Sequence, residues 1–219
     1  MRQPLDEATG LGNMSQKYSW LRAGCVLGVI LLAGCVHFSG GWITLIDGER
    51  GIGNFLRSGD ANWRAEGGAI VADRGSGMGG YLLTRESYAD FELRAEFFAE
   101  STTNSGIFLR LSDPSNITPM HGYEVNIYDD RPGPEYGTGA IVGFAPIPLP
   151  SPHKAGGRWN LLEIRAEGSQ ITVRLNGVQT VQLRDGRFPA GPVALQFGNG
   201  FDGRPGGPIH WRRLEIRRL

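Results

Sequence analysis

Residues 170–183 read Gln-Ile-Thr-Val-Arg-Leu-Asn-Gly-Val-Gln-Thr-Val-Gln-Leu, two β-rich runs on either side of Asn176-Gly177. Asn-Gly readily supplies both positive-φ positions of a type I′ turn, so the stretch predicts a hairpin with strands at 170–175 and 178–183. Similar short runs bounded by Gly, Asn, Asp and Pro recur outward from it, at 42–46, 69–72, 81–84, 91–98, 106–111, 123–128, 140–142, 159–166, 193–197 and 209–216. No amphipathic helical period competes with them. About a dozen strands without a helix predict an all-β fold, an antiparallel sandwich of two sheets over residues 41–219.

Composition agrees. The 219 residues include 34 glycines and 13 prolines, roughly a fifth of the chain against an average nearer 12%, which leaves little room for long helices. The 22 Lys and Arg balance the 22 Asp and Glu, so no global field draws nucleic acid or an anionic membrane. With 40% hydrophobic and 10% aromatic residues, the chain can fill a core and is not of the disordered class.

The N-terminal segment reads as an address. Residues 23–34, Ala-Gly-Cys-Val-Leu-Gly-Val-Ile-Leu-Leu-Ala-Gly, are too few to span a bilayer but suit a signal-peptide apolar region, with Lys17 and Arg22 just before it. The run ends in Leu32-Ala33-Gly34-Cys35, which resembles a bacterial lipobox. A short membrane anchor or a buried helix is the plainer alternative. The expectation is a lipoprotein signal peptide over 1–35, lipidation of Cys35, and a short tether at 36–40. Asp6 and Glu7 are odd in such a signal, which makes Met14 an alternative start. Both cysteines of the chain, Cys25 and Cys35, fall in this segment, so the domain itself has no disulfide and no thiol nucleophile. A lipid on Cys35 would hold the protein on a membrane without spanning it. Val36 after the cysteine resembles the pattern sorted to the outer membrane, which places the protein in a bacterial cell envelope.

Strand alternation predicts which side chains share a face. Ile107, Leu109 and Leu111 would point inward, as would Tyr123, Val125 and Ile127, and Val193, Leu195 and Phe197. The opposite face would then carry Arg110, Glu124, Asn126 and Gln196, flanked by Phe108 and Tyr128. Polar forks beside aromatic rings suit a sugar, which offers hydroxyls at its rim and apolar patches on its ring. An ordinary solvated sheet face is the alternative.

Several motifs carry no chemistry. Gly75-Ser76-Gly77-Met78-Gly79-Gly80 satisfies the dinucleotide fingerprint, but it leads into a strand rather than opening a helix. The four histidines, at 37, 121, 153 and 210, lack paired metal-ligand spacing. Asp129-Asp130 and Asp202-Gly203 fit turn chemistry better than a calcium loop. The basic run around Arg212, Arg213, Arg217 and Arg218 reads as a solvated sheet edge.

One ordered series stands out. It comprises Asn62-Trp63-Arg64 with Glu66-Gly67-Gly68, Gly80-Tyr81-Leu82-Leu83-Thr84, Asp90-Phe91-Glu92-Leu93-Arg94, Asn104-Ser105-Gly106-Ile107-Phe108, Gly122-Tyr123-Glu124-Val125-Asn126, Thr138-Gly139-Ala140-Ile141, Arg158-Trp159-Asn160, and Trp211 to Ile216. The series resembles the 3-keto-disaccharide hydrolase domain family, loosely called family 16 glycoside hydrolases, from residue 41 to the end. The resemblance implies a concanavalin A-like jelly roll and a glycoside-cleaving activity on 3-keto sugars. One departure stands beside it: many family members carry a histidine where this chain has Phe197-Gly198.

Retaining glycosidases need two carboxylates about 5–5.5 Å apart. The outward slots after Glu124 hold Asn126 and Tyr128, leaving only Glu96, on another strand, as a substitute. A 3-keto sugar asks for less, because its carbonyl acidifies the C2 proton and the C1 substituent leaves by elimination before water adds. Glu124 or His121 is then the candidate base, and Arg110 the oxyanion stabiliser, with a divalent metal as a second candidate for that task. Asn126 and Gln196 orient hydroxyls. A noncatalytic carbohydrate-binding lipoprotein and an envelope scaffold for another protein are the alternatives.

Overall fold

The computed structural model describes residues 41–75 and 79–219, with only the backbone of Asp202. The expected signal peptide, tether, Cys35 and Met14 lie outside the described residues. Thirteen strands follow one another: β1 (Ile43–Asp47), β2 (Phe55–Gly59), β3 (Arg64–Glu66), β4 (Ala69–Ala72), β5 (Gly80–Tyr88), β6 (Phe91–Ala99), β7 (Asn104–Leu109), β8 (Tyr123–Ile127), β9 (Arg158–Glu167), β10 (Gln170–Leu175), β11 (Val178–Arg184), β12 (Gly191–Gly198) and β13 (Ile209–Arg218). Three short 3-10 turns are the only helical pieces among the described residues, so no helix there is long and apolar enough to cross a membrane.

All pairings between these strands are antiparallel. One sheet of eight strands runs β11-β10-β9-β6-β13-β4-β3, with β1 also on β13, and one of five runs β2-β5-β12-β7-β8. The opening hairpin forms as expected: Asn176 and Gly177 both take positive φ, 52° and 81°, and Leu175 pairs with Val178. Two strands escape the alternation rule because they are edges. β2 and β3 each have one ladder neighbour and need little apolar character. Residues 140–142, expected as a strand, make only isolated bridges through Ile141. They cover the free edge of β8, where Asn126 N donates to the Ala140 carbonyl (3.0 Å) and Val142 N to the Glu124 carbonyl (2.9 Å).

The core lies between the sheets. β6 sends Phe91, Leu93, Ala95 and Phe97 inward to meet Trp211, Leu82, Tyr123 and Leu195. Its alternate residues Glu92, Arg94 and Glu96 face outward, where Arg217, Glu215 and Arg213 of β13 stand directly opposite them.

Alternation fails at the end of β7, and with it the expected place of Arg110. Arg110 adopts φ 53°, a left-handed kink that breaks the period-2 pattern. Ile107 and Leu109 stay in the main core, but Leu111 joins Phe108 on the other side of the sheet. The Arg110 side chain is 0% exposed. Its Nε donates to the Ala89 carbonyl (2.7 Å), its Nη1 to the carbonyls of Gly168 (2.7 Å) and Phe188 (3.5 Å), and its Nη2 to Asp90 (3.2 Å). Arg110 therefore ties three loops together and does not belong to the polar face.

Candidate functional site

The outer face of the five-stranded sheet is built from two rows of residues that face one another across the ladder. In the first, Tyr81 of β5 stands opposite Gln196 of β12, which stands opposite Gly106 of β7, itself opposite Asn126 of β8. In the second, Leu83, Ala194, Phe108 and Glu124 follow in the same strand order. Three expected residues, Glu124, Asn126 and Gln196, thus meet on one face.

Gly106 makes that meeting spatially feasible. A Cβ there would lie 2.9 Å from the Val125 carbonyl and 3.3 Å from Gln196 Oε1, inside normal contact distance, so the floor between Glu124 and Gln196 must be bare backbone. Beside it Leu83, Phe108, Leu111 and Ala194 form a small apolar cluster, packed over by Tyr81 and Ile117. Phe108 is buried in this cluster, edge-on to Tyr81 at 5.9 Å. The ring available at the surface is Tyr81's, not Phe108's.

Glu124 is 7% exposed. Burial pushes its carboxyl up to about 7, against the weaker pull of the Arg131 guanidinium and of a hydrogen bond with Gln196. Burial also raises the Tyr81 phenol, despite its hydrogen bond with Gln196, so that hydroxyl remains a proton donor at neutral pH. Asn126 is fully buried, with Nδ2 donating to the Tyr136 carbonyl at 2.6 Å. Three polar atoms around Glu124 are buried with no partner: Asn126 Oδ1, Gln196 Oε1 and Arg131 Nε. Folded proteins rarely leave such atoms unsatisfied, and a concentration of them marks a place where another molecule completes the bonding.

Four expected residues lie elsewhere or in a different role. Arg110 is in the interior, as above, and the cation beside Glu124 is Arg131. Glu96 projects from the outer face of the other sheet, where it pairs with Arg212 at 2.5 Å; the whole sandwich separates it from Glu124. His121 Nδ1 donates to the Asn116 carbonyl (2.8 Å) and lies 3.3 Å from Thr118 Oγ1, which fixes the ring within its loop. Tyr128 continues the outward side of β8 but is buried beneath a loop, its hydroxyl accepting from Phe201 N at 2.9 Å.

Sequence reasoning missed Arg131, Tyr81 and Gly106. Arg131 sits in Asp129-Asp130-Arg131-Pro132-Gly133-Pro134, which reads only as a turn. Tyr81 and Gly106 gain meaning solely from their cross-strand partner, Gln196.

A divalent metal fits this site poorly. Glu124 is its one carboxylate, with a guanidinium already beside it, and no group of three His, Cys, Asp or Glu able to hold a metal occurs among the described residues. Asp129 is likewise committed: it accepts from Thr138 Oγ1 (2.6 Å) and from the amides of Ala155 (3.0 Å) and Gly156 (2.9 Å).

Two antiparallel sheets with a polar site on one outer face define a jelly-roll sandwich of the galectin-like kind. A protein of unknown function with a galectin-like fold, from Bacillus subtilis, superposes with a TM-score of 0.57 at 12% identity, covering 82% of this chain and 97% of that one. Two proposed glycosyl hydrolases of Parabacteroides distasonis superpose with TM-scores of 0.65 and 0.63 at 24% and 18% identity, each covering 82% of this chain and 100% and 94% of their own. No curated protein is similar enough in sequence to match. The chain belongs to the family of 3-keto-alpha-glucoside-1,2-lyase-like domains, which it matches over residues 41–217. That membership gives it a carbohydrate-related function.

Proposed function

We propose that this protein cleaves 3-keto glycosides, with Glu124 as the base. One observation carries the reading: a buried carboxyl, raised to about 7, surrounded by unpartnered amide and guanidinium atoms on a single sheet face. A base poised near neutral pH is what abstraction of a proton next to a carbonyl demands. Ionised Glu124 takes the C2 proton, and the electron pair moves onto the C3 oxygen as an enolate beside Arg131. The enolate then collapses, a C1–C2 double bond forms, and the bond from C1 to the leaving oxygen breaks. The leaving oxygen takes the proton from Glu124. Water next adds to C1 while C2 regains a proton, yielding the free 3-keto sugar and the free leaving alcohol. Tyr81, Gln196 and Asn126 hold hydroxyls. Double displacement is disfavoured, since the outward slots of β8 after Glu124 hold Asn126 and Tyr128, and Glu96 stands on the other sheet.

Incubation with 3-keto disaccharides, following the release of free sugar, tests the proposal. Release that disappears in Glu124→Gln supports it. Sugar binding without release would make the protein a carbohydrate-binding module instead.

The order of Lys17, Arg22, the apolar run and Cys35 further supports a lipoprotein of the bacterial envelope, anchored at its outer membrane. Incorporation of labelled fatty acid that is lost in Cys35→Ala tests this; equal labelling of both proteins would rule it out.

A further inference from the structure

The outer face of the eight-stranded sheet opposes acids to arginines along most of β6 and β13, but near the end of β6 the pattern changes. There Trp159 of β9 stands opposite Phe98 of β6, which stands opposite His210 of β13. The row continues through Val71 of β4 to Arg64 of β3. Phe97 and Trp211, the chain neighbours of Phe98 and His210, fill the core, so this row points away from it. Four steps between neighbouring strands, at about 4.8 Å each, make it roughly 19 Å long.

Its rings are fixed yet accessible. Trp159 is 39% exposed, whereas Trp63 and Trp211 are buried. Phe98 lies edge-on to Trp159 at 5.9 Å and to His210 at 5.8 Å. The Arg212 guanidinium covers one face of Trp159 at 4.4 Å and is itself paired with Glu96. Ring surface held in place before a ligand arrives costs little to order when it binds.

Beyond the rings the row borders an open cavity of about 370 Å³, lined by Arg64, Glu66, Val71, Asp73, Pro208 and His210. The charges here are matched: Arg64 pairs with Glu66 and Asp73, as Arg212 does with Glu96. No local excess of one sign draws an ion. Burial holds the His210 imidazole below its ordinary value, and Arg64 adds to the effect against Glu100, Glu66 and Asp73. The ring is therefore neutral at pH 7, with one donor and one acceptor. Arg64 Nη1 is buried without a directed hydrogen bond, although Asp73 stands 2.9 Å away. Apolar ring surface followed by neutral and compensated polar groups suits a ligand that is uncharged, hydroxylated at its rim and apolar on its faces. A strip that crosses five strands suits a chain of such units better than a single one.

We infer that the row from Trp159 to Arg64 is a noncatalytic binding site for a neutral polysaccharide. The whole sandwich separates it from Glu124, so it holds the domain against a polymer and takes no part in the cleavage proposed above. It stands or falls independently of that reading.

Affinity electrophoresis of the purified full-length protein tests the site, in native gels containing hydroxyethylcellulose, glycogen or galactomannan. At least one polymer is expected to retard the wild type. Trp159→Ala should weaken that binding about three- to tenfold, the size of effect one aromatic contact supports. Trp159→Phe should restore part of it, and His210→Ala, at the other end of the rings, should weaken it as well. Glu124→Gln should leave retardation unchanged, and Trp159→Ala should leave turnover of a 3-keto disaccharide unchanged. No retardation by any of the three polymers overturns the site, and so does retardation that neither Trp159→Ala nor His210→Ala alters. Absence of turnover in the wild type bears on Glu124 alone. An unchanged urea midpoint shows that each variant is folded.

Discussion

The outer faces of the two sheets use the same residue types to opposite ends. On the eight-stranded sheet, Glu92 has Arg165 on one neighbouring strand and Arg217 on the other, directly opposite it. Burial works to raise its carboxyl, but the hydrogen bonds from Arg217 and Arg165 outweigh that and hold it below the ordinary value. Further along, Arg94 pairs with Glu163 and Arg213 with Glu215, so the face is a grid of compensated charges. On the five-stranded sheet, Glu124 has Phe108 opposite it and no carboxylate-cation ladder, and its carboxyl rises to about 7. A glutamate on a strand is held ionised or left able to take up a proton near neutral pH according to what stands around it. Glu92 is committed to holding strands together, whereas Glu124 is left free to exchange a proton.

The two carboxyls also respond oppositely to pH. Glu92's contribution to stability is complete above the unfolded value near 4.5 and fades as pH falls through its lower folded value. Glu124 has a raised folded value, so its ionisation costs stability. That cost is absent below about 4.5 and complete above about 7.

The sharpest break of the contrast is Glu124→Gln. Turnover of a 3-keto disaccharide should fall by about 10²–10⁴, the range for removing a general base. The same variant should gain stability relative to wild type, by roughly 2–3 kcal/mol more at pH 8 than at pH 5, because a buried charge has been removed. Urea unfolding at the two pH values measures it; an equal difference at both would contradict the raised carboxyl. For the wild type, kcat/KM should climb through an inflection near pH 7, since in the proposed mechanism the ionised form is the base.

Arg110→Met comes next. It strips bonds from the carbonyls of Ala89, Gly168 and Phe188, and the urea midpoint should drop by an amount equivalent to about 3 kcal/mol or more. The kcat of the folded fraction should not change, in contrast to Glu124→Gln; a selective loss of turnover would return Arg110 to the site. Arg131→Met should reduce kcat/KM at pH 7 roughly tenfold, a loss of about 1.4 kcal/mol of transition-state stabilisation. Arg131 now pulls the Glu124 carboxyl down, so its removal should move the pH-rate inflection upward, and Arg131→Lys should bring it back. The smallest effect belongs to Glu96→Gln. Its pair with Arg212 is exposed on the other sheet, and stability should change by less than about 1 kcal/mol with turnover unaltered. A large loss of turnover there would erase the distinction between the two faces.

Much of the architecture was legible because alternation is a local property. The hairpin at Asn176-Gly177, the inward set Tyr123, Val125 and Ile127, and the shared side of Glu124 and Asn126 follow from covalent geometry alone. Arg110 defeated the rule because one residue at positive φ shifts the side of everything after it, and nothing in Phe108-Leu109-Arg110-Leu111 announces the kink. Glu96 and Glu124 were indistinguishable for a different reason. Both sit at outward positions of apolar-alternating strands, and their difference resides in neighbours supplied by other strands and loops. Arg131 was hidden in a turn whose Pro and Gly residues speak only of chain reversal.

The amino-acid order by itself determined a two-sheet β-sandwich and the side of its strand on which Glu124 stands, because side chains alternate at every step of an extended backbone. Only the tertiary structure decided that Gln196, Gly106, Tyr81 and Arg131 surround that carboxylate, while Arg110 and Glu96 do not. Strand order and register are fixed by packing between segments distant in sequence, and it is those neighbours that set whether a carboxylate is paired or left to take a proton.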